Sequence, residues 1–163
     1  MFLVDANVMI NAARTYYGFD LAPGFWDWFL QQIHSENIAS VQAVFDELKA
    51  GTDQLAEWAK QEVPTQAWRL PGQDAWDHMA TLVNWAAYAP VEFYASAQTE
   101  FARSADLFIT SQAAELEATL VTFERSNPAS KRRVLIPDAA AQVGVQCVDP
   151  FTMFRTLGLT LTV

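Results

Sequence analysis

Four carboxylates in this sequence stand where short apolar runs begin or end. Asp5 directly follows Phe2-Leu3-Val4, and Glu47 lies in the helical stretch after Ile38-Ala39-Ser40. Asp106 opens a helical stretch ahead of the β-branched run Ala118–Thr122, and Glu124 directly follows that run. If the runs are parallel strands, all four acids project toward one edge of a sheet, and in such sheets ligands collect beyond the carboxyl ends of the strands. Carboxylate oxygens are the donors that hard divalent cations such as Mg²⁺ or Mn²⁺ prefer. A cluster of like charges in a cleft is costly unless cations neutralise it. With metal, such a cluster can support in-line attack of water on a phosphodiester.

Taken singly, three of the four have plainer readings. Glu47 fits a solvated helix residue, Asp106 a first-turn acid favoured by the helix dipole, and Glu124 a loop residue. Asp5 is harder to set aside, because an acid straight after a buried strand, with polar Asn7 two places on, suits a site better than a core. Asp46, beside Glu47, points about 100° away around the helix and reads as solvated. Asp138, after Pro137, reads as a first-turn helix acid, with support of the site as the lesser alternative. Arg125, Lys131, Arg132 and Arg133 form the one basic cluster. It suits phosphate contact and a solvated loop equally well. The six tryptophans sit at helical spacing among apolar residues and read as core. His34 and His78 show neither ligand nor triad spacing.

These residues need a scaffold. Strands are expected at Phe2–Val4, Ile38–Ser40, Ala118–Thr122 and Val145–Val148, with shorter extended pieces between Pro64 and Pro71 and at Val134–Ile136. Helices are expected over Ala6–Ala13, Phe25–Ile33, Val41–Ala50, 53–62, Asp74–Ala87, 91–102, Ala105–Ala114, Pro137–Gln142 and from Asp149-Pro150 onward. In Asp74–Ala87 the inward positions are Trp76, Met79, Leu82 and Trp85. Strands alternating with helices imply a parallel sheet covered on both faces, here in one domain over 1–163.

Composition narrows the classes. Hydrophobic residues are 52% and charged residues 18%, which argues for a packed core and against disorder. The net charge of -9 disfavours a broad electrostatic footprint on nucleic acid. It is compatible with an enzyme whose acids hold cations, or with a basic protein partner. The single cysteine, Cys147, excludes an internal disulfide and CxxC-type metal sites, and reads as a small core residue. Neither a signal peptide nor a membrane span is expected, so the expected compartment is the cytoplasm.

At this point the sequence resembles a known family. Phe2-Leu3-Val4-Asp5-Ala6-Asn7-Val8 resembles the opening strand and first acid of PIN domains. Ile38-Ala39-Ser40 through Val44-Phe45-Asp46-Glu47-Leu48 resembles their second strand and Glu-Leu helix. Ala105-Asp106 with Phe108-Ile109 resembles the helix of the third acid. Leu120-Val121-Thr122-Phe123-Glu124 resembles the fourth motif, in which Thr precedes an acid or Asn by two places. The resemblance runs along nearly the whole chain. It is nearest to an uncharacterised bacterial PIN subfamily, through Tyr17-Gly18-Phe19-Asp20, Gly24-Phe25-Trp26, Ala56-Glu57-Trp58-Ala59-Lys60 and Ile136-Pro137-Asp138.

The resemblance implies a helix-rich three-layer α/β/α sandwich and a Mg²⁺- or Mn²⁺-dependent endoribonuclease of the VapC toxin type, with a cognate antitoxin and frequent homodimers. It implies Asp5, Glu47, Asp106 and Glu124 as metal ligands, with Asn7 and Thr122 in support. Two departures stand out. Glu124 is longer than the usual Asp, and the stretch from Gln61 to Glu100 is long and Trp-rich, fit to shape an RNA cleft, a dimer face or an antitoxin groove. Two rivals remain. A catalytically degenerate PIN domain would bind RNA or protein without cleaving. A haloacid-dehalogenase-type phosphohydrolase would also open with a strand and an Asp, but wants a second Asp where this chain has Asn7, and a late Gly-Asp acid pair that it lacks.

Overall fold

The computed structural model describes residues 1–162. Five short parallel strands form one sheet: β1 (Phe2–Val4), β2 (Ile38–Val41), β3 (Trp68–Arg69), β4 (Thr119–Val121) and β5 (Cys147–Val148), in the order β3-β2-β1-β4-β5. β1 is central: Leu3 and Val4 are fully buried, and the strand pairs on both sides, Leu3 with Ala39 of β2 and with Leu120 of β4. The Ser40 hydroxyl adds a buried cross-strand bond to the Val4 carbonyl at 2.6 Å. Strand order reverses between β1 and β4. The carboxyl ends of those two strands therefore border the crevice where open α/β sheets place their ligands. The chain is a three-layer α/β/α sandwich.

The helices are α1 (Ala6–Asn11), α2 (Pro23–His34), α3 (Gln42–Lys49), α4 (Gln54–Gln61), α5 (Gln73–Tyr88), α6 (Ala95–Arg103), α7 (Ala105–Glu115), α8 (Ile136–Gln142) and α9 (Pro150–Thr156). The main core joins the sheet to α2, where Phe25, Trp26 and Phe29 are buried, as is Trp58 of α4. A second core holds Ala75, Met79 and Leu82 of α5 against Phe101 of α6, Leu107 of α7 and Ala139 of α8. The Trp-rich stretch is therefore a packed layer of the fold. No helix among the described residues is long and apolar enough to cross a membrane.

Four local readings change. α1 runs into a π-helical turn, Ala12–Tyr16, instead of ending at Ala13. The helix expected from 91 starts at Ala95, because Glu92 takes a positive φ of 53°. Val134–Ile136 is no strand: Leu135 caps α8 and Ile136 is its first residue. Cys147 is half-buried on the edge strand β5, packed against the rim of the main core and not within it.

α5 is fastened to α7 at its first turn. The Glu115 carboxylate, at the last residue of α7, accepts the N–H of Gly72 at 3.1 Å and of Ala75 at 3.3 Å. It meets two donors that a helix start leaves without partners, and places a negative charge where the helix dipole favours one. Gly72 permits the approach, since a Cβ there would lie 2.2 Å from Oε1. Glu115→Ala should therefore cost about 1 kcal/mol of unfolding free energy, the usual worth of a helix cap. Gly72→Ala should cost a similar amount by displacing the carboxylate. Urea midpoints of the two variants beside the parent check this.

Candidate active site

Asp5 is the first residue after β1 and the N-cap of α1, yet its side chain caps nothing. It is only 2% exposed. Its backbone continues the sheet, donating to the Val121 carbonyl at 3.0 Å. Its Oδ2 accepts the Thr122 hydroxyl at 3.1 Å, and the Thr122 hydroxyl oxygen accepts the Glu124 N–H at 3.1 Å. Thr122 thus orients the acid from the end of the neighbouring strand.

A cleft of about 760 Å³ opens beside it. Asp5, Asn7, Glu47 and Asp106 all line it. They come from the end of β1, the start of α1, the middle of α3 and the first turn of α7. Glu47 therefore faces the same cleft as Asp5. Asp46 also reaches this cleft, where Lys49 and Gln42 pair with it.

Burial, then the charge of Asp106, raise the Asp5 carboxyl from 3.8 to about 7; the Thr122 bond opposes this, while Glu124 and Glu47 add to it. Glu47 is raised by burial and by Asp106. Asp106 is raised by burial, with the Arg133 guanidinium pulling the other way. These carboxyls therefore feel one another across the cleft. The donor set is all oxygen, which fits a hard divalent cation. Among the described residues, however, no three acid, histidine or cysteine side chains stand close enough to hold one ion as placed. The expected convergence on a single point is thus looser than the sequence implied. Mg²⁺ keeps several waters and needs only one or two carboxylates directly, so a shared acidic cleft remains compatible with it.

Glu124 departs from its expected place as a ligand. It does not line this cleft. Its Oε2 accepts the Ile136 N–H at 2.7 Å, at the first turn of α8, and its Oε1 contacts Arg133 at 2.5 Å. The extra methylene over an aspartate lets it reach that helix start. Arg133 also reaches Asp106 at 3.4 Å, so it is the resident counter-charge of two acids and not a free basic residue. Arg125 lines a different cavity, beyond β4 and β5, and Lys131 and Arg132 are exposed on the loop. The basic cluster is therefore divided. Asp138 braces the same loop, accepting the Ser126 hydroxyl at 2.5 Å and the Asn127 N–H at 3.0 Å.

Two wall residues were missed from sequence. Arg103, the last residue of α6, and Trp76, in the first turns of α5, line the cleft. Trp76 was assigned inward but is 51% exposed. Arg103 stands three residues before Asp106, a proximity that the sequence did display.

Without metal, Asp5 should make stability fall with pH. Below about pH 4 the carboxyl is protonated in both states. Between there and its folded value of about 7, the unfolded chain loses its proton while the folded one keeps it, so stability declines. Above that window the loss is complete, on the order of 4 kcal/mol. Asp5→Asn should remove the decline: in EDTA the variant should exceed the parent at pH 8 and match it near pH 4, read from urea midpoints across that range.

No curated protein and no solved structure matches the chain. Residues 2–161 match the family described as Domain of unknown function (DUF4411). That span covers nearly the whole sequence, and the chain belongs to this family.

Proposed function

We propose that this protein is a Mg²⁺- or Mn²⁺-dependent endoribonuclease. The observation that carries the reading is the meeting of Asp5, Glu47 and Asp106, from three elements, in one cleft at the carboxyl edge of a parallel sheet. The PIN-like order of motifs in the sequence supports it. Asp5 and Asp106, with Glu47 directly or through water, would hold the cation. When bound, it lowers the pKa of water and stabilises charge on the attacked phosphate.

The chain's own groups have separable tasks. Thr122 fixes the Asp5 carboxylate by its 3.1 Å bond. Arg133 spans Asp106 and Glu124, restraining Asp106 and offsetting part of the negative charge that would repel phosphate. Glu124 acts as a positioning residue, tying the start of α8 to Arg133. Arg103 offers a cation to a phosphate beside the acids. The net charge of -9 leaves little bulk attraction for RNA, so the grip must be local.

A second reading has two observations in its favour. The Arg133 contacts and the looser acid spacing suit a binding module that does not cleave. The two readings separate on purified protein and total RNA. The parent with Mn²⁺ should cleave; EDTA should stop it. Asp106→Asn should lower the rate by about 100-fold or more, beyond the range typical of groups outside the direct ligands. Equal cleavage in all three lanes points to a contaminant. Metal-independent binding without cleavage, over several RNA classes, favours the binding module. In a toxin role, expression alone should slow growth, and Asp106→Asn should restore it.

Metal should also stabilise the fold by mass action, about 2.7 kcal/mol at a hundredfold excess over Kd. Asp5→Asn should lose most of that gain. A variant whose thermal midpoint responds to Mn²⁺ as the parent's does would remove Asp5 from the ligand set.

A further inference from the structure

Trp76 is the one exposed tryptophan among the six. Trp26, Trp58 and Trp68 are buried, and Trp28 and Trp85 are half-buried. An indole 51% open to water offers a large, flat apolar face to a ligand. It is not on an arbitrary face. It lines the same cleft as Asp5, Glu47 and Asp106, next to Leu70, which is 72% exposed.

The ring is also held. Phe108 of α7 meets it edge to face, with centroids 6.1 Å apart and planes at 80°. The helix that carries it is capped from α7 by Glu115, four residues or fewer from Trp76. The buried Gln112 side chain lies against the segment before α5, and with its amide turned so that the nitrogen faces them it donates to the Arg69 and Leu70 carbonyls at 3.0 and 3.2 Å. One helix thus fixes the acid Asp106, the ring's neighbour Phe108 and both ties to the Trp76 wall.

We propose that Trp76 is a stacking platform for one unpaired nucleobase of an RNA substrate, beside the phosphate that the acids address. The inference rests on reading the cleft as a nucleic-acid site. Charge decides the occupant. Arg103 lines this cleft and forms no ion pair among the described residues. An aromatic face, a free guanidinium and oxygen donors for a cation, in one cleft, match a ligand that is flat and aromatic at one end and anionic at the other. A base must leave its helix to stack on a side chain, so the substrate is single-stranded at that position. Stacking is insensitive to salt and tolerant of sequence, and it offers affinity to a protein too acidic to gain it from bulk charge.

The test is binding of the full chain to a fluorescently labelled unstructured RNA, followed by anisotropy in Ca²⁺ and again in EDTA. Trp76→Ala should weaken binding about 10-fold or more, as loss of one stacked base does. Trp76→Phe should recover most of it. Trp76→Ala should leave the slope of log affinity against log salt unchanged, whereas Arg103→Gln should reduce it by about one phosphate's worth. In cleavage with Mn²⁺, Trp76→Ala should raise KM with kcat little changed. Matched thermal midpoints confirm that the variants fold. Parent-like RNA affinity of Trp76→Ala overturns the proposal, and is the result expected if the ring instead docks a protein. No RNA binding by the parent overturns it as well. Trp76-dependent binding without metal-dependent cleavage upholds the platform and removes the nuclease reading, so the two fail separately.

Discussion

A carboxyl group almost wholly buried at the end of the central strand is the constraint around which the rest is arranged. Burying a charge is expensive, and three further carboxyls within electrostatic range make it more so. The fold does not relieve this by pairing Asp5 with a base. It gives Asp5 a single hydroxyl from Thr122 and sets the nearest guanidinium on Asp106 and Glu124 instead. A group so placed favours either a proton or an external cation. Stability lost at such a point is commonly the mark of a functional site.

Much of the frame was legible in the sequence because it rests on strong, local signals. Phe2-Leu3-Val4 is found as the strand expected, and the expected strand over Ala118–Thr122 is found one residue shorter at each end, as Thr119–Val121. Proline at the first helical turn marked the start of α9. The differences at the site share one cause: they turn on contacts between residues well separated along the chain. Glu124 follows its strand as expected, but its direction is set by the Ile136 N–H, twelve residues on. Arg133 looked like part of a free basic loop until Asp106, 27 residues away, came beside it. Periodicity placed Trp76 with Met79 and Leu82, yet only the latter two are buried, since Trp76 stands on the cleft wall with Phe108 against it on one side. Sequence distance hides such pairings, whereas a parallel sheet covered by helices can be inferred from alternation alone.

The long stretch between β2 and α7 gains meaning from its two faces. Inward, α5 and α6 build the second core with Leu107, Val134 and Ala139. At its ends, the stretch supplies the cleft with Leu70, Trp76 and Arg103. The same stretch that builds the second core therefore also furnishes one wall of the site.

α7 works as a ruler of fixed length. Asp106 stands near its start and Glu115 at its end, nine residues apart, which is 2.5 turns or about 13.5 Å of rise. One end faces the acid cleft and the other caps the helix of the opposite wall. Adding or deleting one residue between them would turn the two ends about 100° relative to each other and shift them about 1.5 Å. Either the acid or the cap would then miss its place. Point substitutions along the helix can be absorbed by repacking, but a change in its length cannot. Across descendants of this chain, insertions should accumulate in the 125–133 loop and be absent between Asp106 and Glu115.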